Sequence, residues 1–455
     1  MATTSITLRP LGIVERYHAL HHFYGYGANV AASCRYFLHH ETSTPLTKEI
    51  LFPALRKMIE TQAGLGVRMV GDESGSTDIK SLRFERLDIV DLDLVVEFGG
   101  EETVESALQG QLCRDFETRD PVPLWRVQVL PGGVVVFAAH HAIADGMSCL
   151  AFHRALLAAL NDPNSAATAD PVVIVPRTLT LPPSIDDATD LSPGLLRILY
   201  EIVQAILPAS WTARGTAYTG NPVPPAALPR AKLSTRLRLL TIPPADAAKL
   251  ASAARAHGAT VTSALHILGC AALSRALPDA QSYPNISSNI SLSARTASVP
   301  PTSDNLILNY ASGYHVLIPT SPNFDWACAK VLSGELRVQQ KEGARALGLI
   351  RLLGSGFANF VKKQVGSRRL YALQTSNVGR FIVPDDGMWA LRDAVFAASD
   401  TYVGAAMMLH VVGSPSGELA VVFTWDEGNG DGASLDEHVI ERFIDAFQQG
   451  IMDLF

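Results

Sequence analysis

Val134-Val135-Val136-Phe137-Ala138-Ala139-His140-His141-Ala142-Ile143-Ala144-Asp145-Gly146-Met147-Ser148 is an apolar, β-branched run that delivers two histidines into a short Asp-Gly turn. Val134 to Ala139 reads as a strand buried on both faces. Pro131-Gly132-Gly133 before it reverses the chain after a second strand, Trp125 to Leu130, so the two form a hairpin. Beyond Gly146, which supplies a turn position with few steric limits, Leu150, Leu156, Leu157 and Leu160 recur at helical spacing until Asn161-Asp162-Pro163. The order is strand, His-His, turn, helix, and the histidines sit where a rigid strand opens into a loop.

Histidine takes and returns a proton near neutral pH, its unperturbed pKa being about 6.5. A carboxylate four residues on, Asp145, can hold the other imidazole nitrogen or turn away and lock the loop through a cation. No serine or cysteine lies in a nucleophile-elbow pattern, so a covalent acyl-enzyme is not indicated. Direct transfer remains: His141 as general base on a bound hydroxyl or amine that attacks an activated acyl group. Adjacent histidines on a strand point to opposite sides, and no nearby Cys or His completes a ligand spacing, so no metal is expected.

The segment His140-His141-Ala142-Ile143-Ala144-Asp145-Gly146 resembles the HHxxxDG motif of the acyl-CoA-dependent acyltransferase superfamily, which includes chloramphenicol acetyltransferase, condensation domains, plant BAHD enzymes and fungal alcohol acetyltransferases. Arg9-Pro10-Leu11-Gly12, then Glu15-Arg16-Tyr17 and a His-rich stretch to Tyr26, is similar to the start of the fungal alcohol acetyltransferases; Ser376-Asn377-Val378-Gly379 resembles their late Ser-Asn-x-Gly motif. The plant Asp-Phe-Gly-Trp-Gly motif is missing from the sequence. The resemblance implies an α/β fold of two chloramphenicol-acetyltransferase-like lobes, mixed β-sheets flanked by helices, with an active-site tunnel at the lobe interface. It implies His141 and Asp145 as catalytic residues and His140 and Gly146 as structural ones. Arg295, after the alternating Asn285 to Ser293, matches the arginine that pairs with the motif aspartate, so Asp145 is expected to turn away from His141. Tyr24, Asn309, Ser376 and Asn377 are candidate substrate or CoA contacts. Acetyl-CoA, or another acyl-CoA, is the implied co-substrate, and the acceptor a small-molecule alcohol or amine of secondary metabolism. Two other uses fit the same residues: condensation with carrier-protein thioesters, and a cyclase or binding role in which His141 is expendable.

Composition bounds these readings. The chain has 455 residues, 47% hydrophobic and 18% charged, enough for two substantial cores. A net charge of −7 and no dense Lys/Arg cluster argue against nucleic acid as a partner. Five scattered cysteines suit reduced thiols, and the N-terminal residues lack a signal-peptide pattern, so a cytoplasmic location is expected; two lobes in one chain make a monomer adequate. No apolar run reaches membrane-spanning length.

Organisation follows from punctuation. Residues 1–175 are expected to form the lobe carrying the motif, with helices over Leu46 to Thr61 and Thr103 to Cys113 and a strand over Leu82 to Ile89. Nine prolines between 176 and 230 mark a crossover linker with one helix, Pro193 to Leu207, whose apolar residues are expected to pack on a lobe. Residues 231–455 form the second lobe, including a strand over Asn305 to Val316, a helix over Leu347 to Lys363, a hairpin from Val403 to Trp425, and a last helix with Ser434 and Glu437 as capping box.

Overall fold

A computed structural model describes residues 6–39, 45–72, 81–100, 103–163, 168–230, 233–399, 402–428 and 432–455. The Val134–His140 strand is buried along its whole length, as its unbroken apolar run requires, and pairs antiparallel with Trp125–Leu130 on one side and Asn29–Leu38 on the other. The reversal between Leu130 and Val134 places Gly132 and Gly133 at φ 73° and 75°. A Cβ on Gly133 would lie 2.2 Å from the Tyr36 carbonyl oxygen, so only glycine fits. Among the described residues this sheet has five strands, in the order Trp389–Ala398, Asn29–Leu38, Val134–His140, Trp125–Leu130 and Val96–Phe98. The helices Gly146–Leu160 and Val104–Cys113 both pack on its central strands. Phe137 stacks on Phe152 of the former at 3.9 Å between ring centres, so Val136, Ala138 and His140 face the other way.

A second, mixed sheet runs Thr235–Ile242, Leu419–Asp426, Met407–Gly413, Leu373–Arg380, Asn285–Ser293, Ala311–Pro319. The helices Val261–Ala276 and Glu437–Met452 pack against each other beside it. One face of it, with these helices, forms a second core, while Leu237, Val412, Ala420 and Val422 on the other face join the core of the first sheet. Two sheets with flanking helices give the expected two-lobe α/β architecture.

Several local expectations change. Trp389–Ala398, in the stretch assigned to the second lobe, is an edge strand of the first sheet, paired with Asn29–Leu38. The boundary at 231 therefore does not separate the sheets, because strand pairing is a long-range choice. Ser434 does not cap the last helix: Asp436 is its N-cap residue, and the Ser434 hydroxyl donates to the Ala406 carbonyl at 2.8 Å. The expected helix over Leu347 to Lys363 is broken into Gly348–Arg351, Gly354–Gly356 and Phe357–Lys362, with Gly354 at φ 50°. The strand expected from Asn305 begins only at Ala311, because the amides of Leu308 and Tyr310 bond to Ser148 and Asp145 instead of a ladder. The crossover helix, Leu195–Ile206, does not bury its apolar face on either lobe; most of that face is exposed. Among the described residues no single helix is long and apolar enough to cross a membrane.

Candidate active site

His140 and His141 leave the strand with different duties. The His140 amide donates to the Leu124 carbonyl at 2.9 Å and extends the sheet; the His141 amide donates to Ala28 at 2.7 Å and starts the turn. The His140 imidazole is fully buried, and its Nδ1 accepts the Ala142 amide at 3.0 Å, which fixes the turn from inside. Burial, then the neighbouring rings of His22, His18 and His141, push the His140 pKa well below the usual histidine value. It is a neutral structural group, placed against His22 and Phe116 at 4.7 and 6.1 Å between ring centres.

Asp145 is the N-cap residue of the Gly146–Leu160 helix, and its four hydrogen bonds all lead away from His141. Oδ1 accepts from the Ser148 amide at 2.9 Å and from its hydroxyl at 3.0 Å; Oδ2 accepts from Arg295 Nη1 at 2.6 Å and from the Tyr310 amide at 3.0 Å. Arg295 is only 1% exposed, and its Nη2 also donates to the Leu308 carbonyl at 3.2 Å. Burial alone would raise the Asp145 pKa; the Arg295 guanidinium, with the Tyr310 and Ser148 amides, outweighs it and holds the carboxyl below its ordinary value. The carboxylate thus ties the motif loop to the Arg295–Tyr310 segment of the other lobe. Gly146 is needed for space, not for its φ: a Cβ there would lie 2.6 Å from Phe396 and 2.7 Å from Val378.

His141 is half-buried, the least enclosed of the motif's three titratable side chains. One ring face stacks on His18 at 3.8 Å between centres and 7° between planes. Asn309 Nδ2 donates to the His141 carbonyl at 2.5 Å and lies 3.3 Å from its Nδ1. The Asn309 carbonyl oxygen accepts the Ala311 amide at 3.0 Å, which orients its amide group. His141 is therefore fixed in plane by the Ile13–Phe23 helix of the first lobe and at its backbone by the loop before Ala311–Pro319 of the second.

The remaining candidates are placed unequally. Tyr24 caps the helix that carries His18 and is buried, its ring beside Phe23 and Tyr26 at 5.1 and 5.7 Å between centres. Val378 abuts Gly146, so Ser376, two residues away on the same strand, shares its face, while Asn377 points oppositely. Asn377 Nδ2 donates to Thr262 at 3.0 Å and its Oδ1 accepts the Gly379 amide at 2.8 Å, so both ends hold local structure rather than lining the site. His18 and the positioning contact of Asn309 were not singled out in the sequence. The available signal was His18, His21 and His22 on one helix, at i, i+3 and i+4. Among the described residues no group of three or more His, Cys, Asp or Glu is arranged to hold a metal.

Residues 100–325, from before the motif to past Arg295 and Asn309, match the family model for alcohol acetyltransferase. The chain is 23% identical over 435 residues to a probable alcohol acetyltransferase, FCK4, of Fusarium pseudograminearum, covering 88% of this chain and 85% of that protein. It is 24% identical over 379 residues to the probable alcohol acetyltransferase crmB of Aspergillus fumigatus, covering 78% and 77%. In fold it is similar to the trichothecene 15-O-acetyltransferase TRI3 of Fusarium sporotrichioides, with a TM-score of 0.68, 12% identity, and coverage of 99% and 95%. It is also similar to the epimerization domain of tyrocidine synthetase B, with a TM-score of 0.61, 14% identity, and coverage of 99% and 96%. The chain carries the alcohol acetyltransferase domain of this family between residues 100 and 325, and it is an acyltransferase with the two-lobe chloramphenicol-acetyltransferase-like fold.

Proposed function

We propose that the protein transfers an acyl group, in the first instance acetyl, from acyl-CoA to a hydroxyl of a small secondary-metabolite acceptor, with His141 as general base. The observation that carries this reading is the division of labour inside the motif. Asp145, through both carboxylate oxygens, and His140, through Nδ1, are sealed and hold the loop, whereas His141 is half-open and held in plane between the lobes. An imidazole so held suits proton transfer to a substrate rather than support of the fold.

In the proposed step His141 takes the proton from the acceptor hydroxyl as its oxygen attacks the thioester carbonyl. The tetrahedral intermediate collapses, the C–S bond breaks, and the proton passes from His141 to the departing CoA thiolate. Atoms and charge balance without another reactant. Ser376, on the strand face that meets Gly146, is proposed to flank the pantetheine arm. Both His141 and Asn309 come from one chain, so a monomer is sufficient. The five free cysteines support a cytoplasmic setting.

The test is free-thiol release from acetyl-CoA by wild type and His141→Ala across a panel of alcohols and amines. Release that needs an alcohol acceptor and disappears in the variant supports the proposal. Release independent of acceptor, or surviving in the variant, overturns His141 as base. Turnover with acyl-pantetheine on a carrier but not with acetyl-CoA would replace the donor and move the protein toward condensation chemistry.

A further inference from the structure

The crossover helix Leu195–Ile206 is amphipathic in the reverse sense to an ordinary surface helix. Leu195, Leu196 and Ile206 are 79%, 84% and 76% exposed, with Leu199, Ile202 and Val203 beside them and Trp211, 76% exposed, just past the end. The polar side turns inward: Glu201 is held between Arg197 Nε at 2.8 Å and Arg214 Nη1 at 2.7 Å. A contiguous exposed apolar stripe of this kind is a docking surface in a soluble protein.

What surrounds the stripe identifies its partner. Residues 343–384 contain seven Lys or Arg and no Asp or Glu, in a chain whose net charge is −7. This stretch touches both ends of the crossover. At the start, Gly348 packs on Leu191 and Pro193, and Arg345 lies 3.5 Å from Asp190; at the end, Arg368 Nη1 donates to the Arg214 carbonyl at 2.9 Å. Arg351, Lys362, Lys363 and Arg368 are exposed, as are Leu352 and Phe360 among them. Apolar side chains flanked by cations suit a bilayer with anionic headgroups. A second copy of the chain is a poorer fit, since a two-fold contact through this face would set basic flank against basic flank. Twelve residues are too few to span a bilayer, so the helix would lie in its plane.

We propose that Leu195–Ile206, with Trp211 and the basic stretch beside it, seats the protein on an anionic lipid surface. The helix buries its leucines and isoleucines at the level of the acyl chains, and the cations meet the headgroups. This docking is independent of the chemistry at His141.

Flotation of the full-length protein with vesicles of phosphatidylcholine plus phosphatidylserine, and of phosphatidylcholine alone, tests it. The protein is expected to float with the anionic vesicles, less with the neutral ones, and less as salt rises. A variant with Leu196→Ser, Leu199→Ser and Ile206→Ser should lose at least about tenfold in vesicle affinity. Lys362→Glu with Lys363→Glu should remove the preference for phosphatidylserine. Circular dichroism and melting temperature should match wild type in both, since these side chains are already in water. Absence of flotation with either vesicle overturns the proposal, as does flotation that the triple variant leaves unchanged. A wild-type dimer that the triple variant dissolves, without lipid binding, assigns the face to self-association and also overturns it.

Discussion

His141 and Asp145 are four residues apart, yet their substitutions should fail in different ways. His141 is half-open, so His141→Ala should leave the melting temperature close to wild type while lowering kcat about 10²- to 10⁴-fold, the usual size of a general-base contribution. Asp145→Ala leaves Arg295 charged in a site where it is 1% exposed, and should cost about 3–5 kcal/mol in denaturant unfolding. The Asp145 carboxyl is held below its ordinary value, so its contribution is complete above the unfolded pKa, about 4, and is lost as pH falls further through the folded value. Denaturation midpoints followed from neutral to acid pH should therefore fall less steeply in Arg295→Ala than in wild type. His18 meets His141 through their stacked faces. His18→Ala should lower kcat about 2- to 10-fold with KM unchanged, and His18→Phe, which keeps a flat ring in place, should restore it. Equal losses in both variants would mean that the imidazole of His18 itself handles a proton.

The strand-turn-helix element that presents His141 depends on a bare Gly146. Gly146→Ala should destabilise by about 1–3 kcal/mol by pressing on Phe396 and Val378, and adding Val378→Ala with Phe396→Leu should recover part of the melting temperature. This element could be read in the sequence because its signals are local: an apolar run, two glycines in the reversal, helical spacing after Gly146. Trp389–Ala398 could not, although it is apolar on either side of Arg392 and Asp393, because its partner, Asn29–Leu38, lies near the other end of the chain. Asn309 and Tyr310 sat in a run that looks like strand, and only the folded molecule shows that the Tyr310 amide is committed to Asp145. Arg295 was recoverable through family resemblance alone; nothing in its own neighbourhood marks a buried cation. Periodicity revealed that Leu195–Ile206 has an apolar face but not where it points, since direction is set by Glu201 pairing inward with Arg214. The His18 stack was hidden for a similar reason: helical spacing lines up three histidines, and only docking of the helix selects the one that meets His141.

The two lobes share more than an interface. The first sheet takes its edge strand, Trp389–Ala398, from the C-terminal half, and the motif loop takes Arg295, Leu308, Asn309 and Tyr310 from it as well. A fragment of residues 1–230 would thus expose the open edge of Asn29–Leu38 and leave Asp145 buried without its cation. Unpaired edges and uncompensated buried charges each disfavour a folded state, and the first also promotes aggregation. The intact chain is therefore expected to unfold in one transition, with far- and near-ultraviolet circular dichroism changing together. The 1–230 fragment alone should show no near-ultraviolet signal and should bind a hydrophobic dye, as chains without fixed packing do. Mixing it with 231–455 should restore the signal only where both fragments are present from the start of refolding, because the strand must insert beside Asn29–Leu38 before that edge is lost to aggregation. A 1–230 fragment with native near-ultraviolet dichroism would show that the first lobe closes its sheet without Trp389–Ala398, and the lobes would then be modules joined at His141 rather than one cooperative unit built around it.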